Sequence, residues 1–194
     1  MARKAKHTSA ETRESIIESF IDIYEEKGID KTTVSAIVNR AHITRSTFYC
    51  YFRDVNELLE IAEREFFDNY IKVILPMVIR AVVSGDTTAI VPKISGLFQD
   101  HRRYVLLFLV TRPSPELTAQ VKAFGRSCIL SYFDVDEATL SERKSAAIEY
   151  IISAQLGLVT WWLADGCAIQ VPEMLQLITD LNSIGPVTVL SEIH

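Results

Sequence analysis

Thr32-Thr33-Val34-Ser35-Ala36-Ile37-Val38-Asn39-Arg40-Ala41-His42-Ile43-Thr44-Arg45-Ser46-Thr47-Phe48-Tyr49-Cys50-Tyr51-Phe52 is the stretch of this chain that decides its fold. Val34, Ile37, Val38 and Ala41 fall at i, i+3, i+4 and i+7, one apolar helical stripe, which leaves Ser35, Asn39 and Arg40 facing outward. Thr32 is the expected N-cap of that helix, which would begin at Thr33. The chain must turn at Ala41-His42-Ile43, and His42 is expected in the left-handed region, where His, Asn and Asp are the enriched non-glycine residues. Thr44 then caps a second helix, Arg45 to Tyr51. Its Phe48 and Phe52 return to the core at i and i+4. Two short helices at a tight turn, the second carrying hydroxyls and an arginine on its outer side, are what a helix-turn-helix requires. Such a unit sets its second helix in the major groove and lays the first across the backbone.

The flanks fit the same unit. Residues 12–28 form an amphipathic helix on which Ile16, Phe20, Ile23 and Tyr24 share a face with Ile17 and Ile21 at its flank, and Gly28 stands where a C-terminal cap belongs. Thr8-Ser9-Ala10-Glu11 has capping-box spacing. Asp54-Val55-Asn56-Glu57 repeats that logic with an aspartate cap and opens a long fourth helix.

The run Thr12-Arg13, Ile16, Lys27-Gly28, Thr32-Thr33-Val34, Ile37, Ala41, Thr47-Phe48-Tyr49, Phe52 and Glu57-Leu58 resembles the tetracycline-repressor (TetR) family of bacterial transcriptional regulators, over roughly residues 9–68. The resemblance implies an all-α protein of about nine helices. A DNA-binding head would span residues 1–53 and a ligand-binding and dimerisation body residues 54–194, with a helix over 54–83 linking them and carrying ligand state by its tilt. The implied DNA contacts are Thr33, Arg40, Thr44, Arg45, Ser46, Thr47, Tyr49, Tyr51 and Arg53. Thr44, Ser46 and Tyr49 would position phosphates, while Arg45 and Thr47 would meet base edges, Arg45 toward guanine. Three positions depart from the family pattern: His42 stands for Gly, Val38 for Ala and Val55 for Lys. The usual lysine reaches a DNA phosphate, so this chain lacks that contact unless Arg53 replaces it.

Charge is divided unevenly. The chain carries −5 overall, but residues 1–53 hold nine Lys and Arg against seven Asp and Glu, while the remainder holds eleven against eighteen. The positive excess thus lies where phosphates are expected. Arg3, Lys4 and Lys6 form a basic arm ahead of the first helix, either simply disordered or following a DNA groove as homeodomain arms do. At 194 residues the chain is long enough to bury a sizeable core. No signal peptide or apolar run long enough to span a bilayer is read from the sequence. The odd set Cys50, Cys128 and Cys167 suggests neither a disulfide framework nor a zinc site, and the cytoplasm is the expected compartment.

In the remainder, residues 54–83 are expected to kink at Pro76. Further helices are expected at 87–98, 101–111, 114–133, 139–165 and 172–184, and Val187–Leu190 reads as a tail. Small residues on 139–165 and apolar residues on 172–184 point to a homodimer interface of Ala147, Tyr150, Ala154, Leu158, Trp161, Leu175 and Ile178, the alternative being ordinary core packing within one subunit. The stretch from Gly157 to Gly166, with Pro172-Glu173-Met174, is similar to the C-terminal part of a TetR subgroup that includes an activator of dihydroxyacetone metabolism. Effectors of the family bind in a mostly apolar pocket with a few polar groups. The candidate lining is Tyr70, Tyr104, Phe108, Arg112, Phe124, Tyr132, Gln155 and Trp162, each with core or surface as its alternative, and Arg103 and Arg112 either pair with an acidic effector or face solvent.

Two functions compete: a homodimeric operator-binding regulator switched by a small effector, and a DNA-bound co-regulator whose body takes a protein partner. Catalysis is disfavoured, because the chain has no Gly-rich phosphate loop, no spaced metal ligands and no nucleophile–base motif, and His7, His42, His101 and His194 are dispersed. No cofactor and no metal is expected.

Overall fold

Thr8 opens the first helix with the reciprocal capping pair its sequence predicts. Its hydroxyl accepts from the Glu11 amide at 3.3 Å, and the Glu11 carboxylate accepts from the Thr8 amide at 2.8 Å. The computed structural model describes residues 8–186 and Val189. The basic arm Arg3, Lys4 and Lys6, together with His7, His194 and most of the Val187–Leu190 tail, lies outside the described residues. Helix α1 runs Ser9–Lys27 and ends at Gly28, whose φ of 74° only glycine adopts freely. Next comes α2, Val34–Arg40. Its cap is Thr33, not Thr32: the Thr33 hydroxyl accepts from the Ala36 amide at 3.2 Å, while the buried Thr32 hydroxyl donates to the Gly28 carbonyl at 2.8 Å.

His42 sits at φ 53°, the left-handed residue that ends α2. The Ile43 amide donates to the Val38 carbonyl at 3.0 Å and the His42 amide to Asn39 at 3.4 Å, the two bonds of a Schellman turn. Helix α3 spans only Arg45–Tyr49, followed by a turn at Cys50 and Tyr51. Ile16, Phe20, Ile37, Phe48 and Leu58 are fully enclosed in one core.

Two compact units divide at Glu65–Phe66. That is later than the 53/54 division the sequence suggests, and the reason lies in α4, Val55–Phe66. Leu58 and Ala62 are buried in the head core, and Glu65 pairs with Arg13 at 2.7 Å. Most of α4 therefore belongs to the head. This brings in Asp54, Glu57, Glu60, Glu63 and Glu65 against Arg64 alone, so the positive excess is a property of residues 1–53 and not of the whole unit.

In the second unit the chain passes through a π turn, Phe67–Ile71, into α5, Lys72–Ser84. The departure from α geometry falls there, where the Lys72 amide donates to Phe67, five residues back, and helix continues through Pro76. Helix α6, Val91–Leu106, runs on through a second π turn at Leu107–Thr111. One helical run replaces the two expected at 87–98 and 101–111, because neither Gly nor Pro interrupts residues 97–111, whereas Thr87–Ile90 turn ahead of Pro92. Helices α7 (Pro115–Tyr132), α8 (Glu142–Ala164) and α9 (Val171–Ser183) complete the body. Ser114 and Ser141 cap α7 and α8, accepting from Leu117 and Lys144 amides. No strand occurs among the described residues.

Gly125 lies mid-helix in α7, and an added Cβ would meet Leu75 at 3.6 Å and Ile152 at 3.9 Å, ordinary contact distances. Gly125→Ala is therefore expected to stabilise the body by about 0.5–1 kcal/mol through the helix preference of alanine. Thermal denaturation of the two proteins checks this; a lowered midpoint would show that the α5–α7 packing has no such room.

Candidate functional site

The outer surface of α2 and α3 gathers the polar residues that the sequence singles out. Thr33, Arg40, Thr44, Arg45, Ser46, Tyr49 and Arg53 are exposed, while Thr47 and Tyr51 are half-buried. Helix α3 is too short to hold itself: five residues make little more than one turn. Its order comes from two anchors. Phe48 is fully buried, with its ring 5.8 Å from Phe52. Thr44 accepts from the Thr47 amide at 3.1 Å and shares hydroxyl hydrogen bonds with Ser46 at 2.8 Å and Thr47 at 2.9 Å. Those three hydroxyls form one cluster at the start of the helix.

The other residues differ in how they are held. The Arg45 guanidinium donates to the Ser35 hydroxyl, which rests it against α2. Tyr49 is 57% exposed, and its ring meets Phe48 edge-on. The Tyr51 hydroxyl donates to Ser9 at 3.1 Å, tying the turn after α3 to the first turn of α1. Arg40 pairs with Glu26 at 3.3 Å and Asp22 at 3.8 Å, so its charge is already partnered by α1. Such exposed pairs are weak and exchangeable.

Arg53 pairs with Asp54 at 3.1 Å and is 73% exposed. Asp54 caps α4 by accepting from the Glu57 amide at 2.8 Å. That bond, and then Arg53, hold its carboxyl below the ordinary carboxylate range. The cap is therefore fully formed above the ordinary carboxylate pKa, and its contribution is lost as pH falls through the lowered value. Val55, where the family's lysine would stand, is half-buried beside this cap.

The body contains a cavity of about 180 Å³, walled by α5 to α9 and both π turns. Of the eight residues expected around it, Tyr70, Gln155 and Trp162 line it. The other five stand elsewhere. Tyr104 and Phe108 pack on each other with centroids 6.3 Å apart, and Phe124 meets Phe67 edge-on at 5.6 Å. Tyr132 is exposed against Phe133, and Arg112 is not part of the wall. The residues missed are aliphatic: Ile74, Val78, Val121, Ile129, Ile152 and Leu156 are among them. In sequence they are indistinguishable from solid core.

The expected dimer face divides in two. Leu175 and Ile178, expected in the dimer interface, are buried and line the cavity, and Ile178 also lines a second hollow with Tyr150, Ala154 and Leu158. Ala147, Tyr150, Ala154 and Trp161 are exposed and Leu158 half-buried on one side of α8, with Tyr150 64% and Trp161 53% accessible. By length and composition α8 is apolar enough to cross a bilayer, which the sequence reading did not allow. Its opposite side, with Ile152, Leu156, Trp162 and Leu163, walls the cavity. Among the described residues no group of His, Cys, Asp and Glu is placed to hold a metal.

A helix-turn-helix head followed by a cavity-bearing helical body is the build of a transcriptional regulator, and known proteins agree. Residues 16–62 match the family described as bacterial regulatory proteins, tetR family, and residues 85–183 match one described as a transcriptional regulator C-terminal region. The chain is 23% identical to the HTH-type transcriptional regulator AcrR of Shigella flexneri over 71% of its length and 66% of that protein. It is 33% identical to the probable acrEF/envCD operon repressor of Escherichia coli K12 over 30% of its length and 26% of that protein. The fold matches the fatty acid degradation regulator FadR of Bacillus halodurans with a TM-score of 0.56 at 16% identity, covering 92% of this chain and 96% of that one. The chain belongs to the TetR family of bacterial transcriptional regulators.

Proposed function

We propose that this regulator is a homodimeric repressor whose two α3 helices enter successive major grooves of a near-palindromic operator, and which a small molecule in the body cavity releases. The observation that carries DNA reading is the capped, Phe48-anchored α3 with Arg45, Ser46 and Tyr49 exposed on one surface. Repression is supported by the operon repressor among its relatives. Dimerisation is supported by the exposed Tyr150 and Trp161 on α8. Two half-sites are also how a helix-turn-helix reaches useful affinity. A coupling of about 1–3 kcal/mol between cavity and head would change operator affinity roughly 5- to 150-fold.

The test is fluorescence anisotropy of the purified protein on the intergenic DNA flanking its gene, across a salt series, with sedimentation to count subunits. Saturable binding of two subunits to one short palindrome supports the proposal. Weak binding that ignores sequence counts against it. The same α8 face supports a second reading, a DNA-bound co-regulator with a protein partner; a protein that sediments as a monomer both free and on DNA would favour it.

Val55→Lys restores the family's charge at the start of α4. It is expected to tighten DNA binding at low salt and to steepen the salt dependence by about one phosphate contact, a slope change near 0.9. A lysine at a helix N-terminus costs about 0.3–1 kcal/mol of stability against the helix dipole. Anisotropy at several salt concentrations checks the gain; an unchanged slope would mean that no phosphate approaches this helix start.

A further inference from the structure

Resting on the reading of the cavity as an effector site, the geometry points to the chemical class of that effector: a compact, uncharged, largely apolar molecule carrying one hydrogen-bond-accepting oxygen, held by the Tyr70 hydroxyl. Three observations carry it. The wall contains no Lys, Arg, His, Asp or Glu, and its polar side chains are Tyr70, Gln155 and Trp162. An ionised ligand would enter without a counter-charge, at a desolvation cost that packing cannot offset. Arg112, the cation that sequence offered to an acidic effector, stands outside the wall.

Of the three polar side chains, Trp162 has its single donor engaged and Gln155 is held by one of its amide hydrogens. Trp162 Nε1 donates to the Ile169 carbonyl at 2.8 Å, and Gln155 Nε2 donates to Asn182 Oδ1 at 3.1 Å. Tyr70 is 5% exposed, and its hydroxyl has no hydrogen-bond partner among the described residues, although its ring packs on Phe66 and His101. Burial pushes the phenol well above its ordinary pKa, so it remains a protonated donor at any physiological pH. A donor without a protein partner is open to an acceptor that a ligand brings.

Size sets the third limit. At about 180 Å³ the cavity lies below the roughly 300–1,000 Å³ of drug-sized sites and near an apolar cavity of about 150 Å³ known to take benzene. A single ring or a short chain fits within it.

Four ring-matched probes test this on the full-length protein without DNA: methyl benzoate, ethylbenzene, benzoate and benzylammonium, titrated by calorimetry at neutral pH. Methyl benzoate is expected to bind saturably, and the two ions at least about a hundredfold more weakly. Tyr70→Phe should weaken methyl benzoate about three- to tenfold and leave ethylbenzene unchanged. Gly125→Leu, which sends its side chain into the cavity beyond a Cβ that has room, should block both neutral probes. Benzoate binding as tightly as its ester would overturn the inference. So would a Tyr70→Phe variant that weakens both neutral probes alike, or no binding by any probe. Operator anisotropy separates the two readings. Ester binding that leaves operator affinity unchanged supports the ligand class and counts against the effector role.

Discussion

Alanine at position 48 is expected to cost the head about 3–5 kcal/mol, the largest effect of any single change considered for this protein. Phe48 is fully enclosed, its ring contacts both Tyr49 and Phe52, and it is the one buried side chain of α3. A helix of five residues has no stability of its own. Losing its anchor therefore removes the recognition surface as well as core contacts. Because the chain forms two compact units, calorimetry of Phe48→Ala should show a transition moved to lower temperature for the head and an unmoved one for the body. DNA binding should vanish with the first transition. A variant that kept wild-type melting would show that α3 is held by its caps instead of its core contact.

Arg45→Ala tests the chemistry and not the scaffold. Its guanidinium rests on the exposed Ser35 hydroxyl, a contact that exchanges readily for a base edge because both partners are already in water's reach. The expected loss is about 1–3 kcal/mol of operator affinity, with relaxed preference at one position in each half-site. Stability should change little, since the side chain buries nothing. Binding measured against every base variant of the operator decides it. An unchanged preference profile would remove Arg45 from direct readout, and a uniform loss across sequences would make it a phosphate contact.

The head was legible in the sequence because its determinants are local. A histidine between two short helices, a threonine before the second and phenylalanines four apart each act within a turn or two, and the Schellman turn at His42 and the cap at Thr44 follow directly. Thr32 and Thr33 could not be told apart, since either hydroxyl can cap and only the position of the Gly28 carbonyl chooses. The body was less legible. A search for polar and aromatic side chains found Tyr70, Gln155 and Trp162, but the wall is built mainly of Ile, Val and Leu. Whether such residues enclose space or fill it depends on how five helices meet, which no local pattern encodes. Leu175 and Ile178 show the same limit: an apolar stripe faces something, and periodicity does not say whether that is the subunit's own cavity or a partner.

The empty volume in the body also bears on how much of the protein a cell keeps. A cavity of about 180 Å³ lined mostly by Ile, Val and Leu leaves packing contacts unmade. A molecule that fills it stabilises the folded state in proportion to the logarithm of its concentration. The unliganded form is then the one more often open to proteases. On the proposed release of the operator by an effector, the same molecule would raise the standing amount of regulator while emptying the operator, so that its consumption would leave a larger pool ready to rebind.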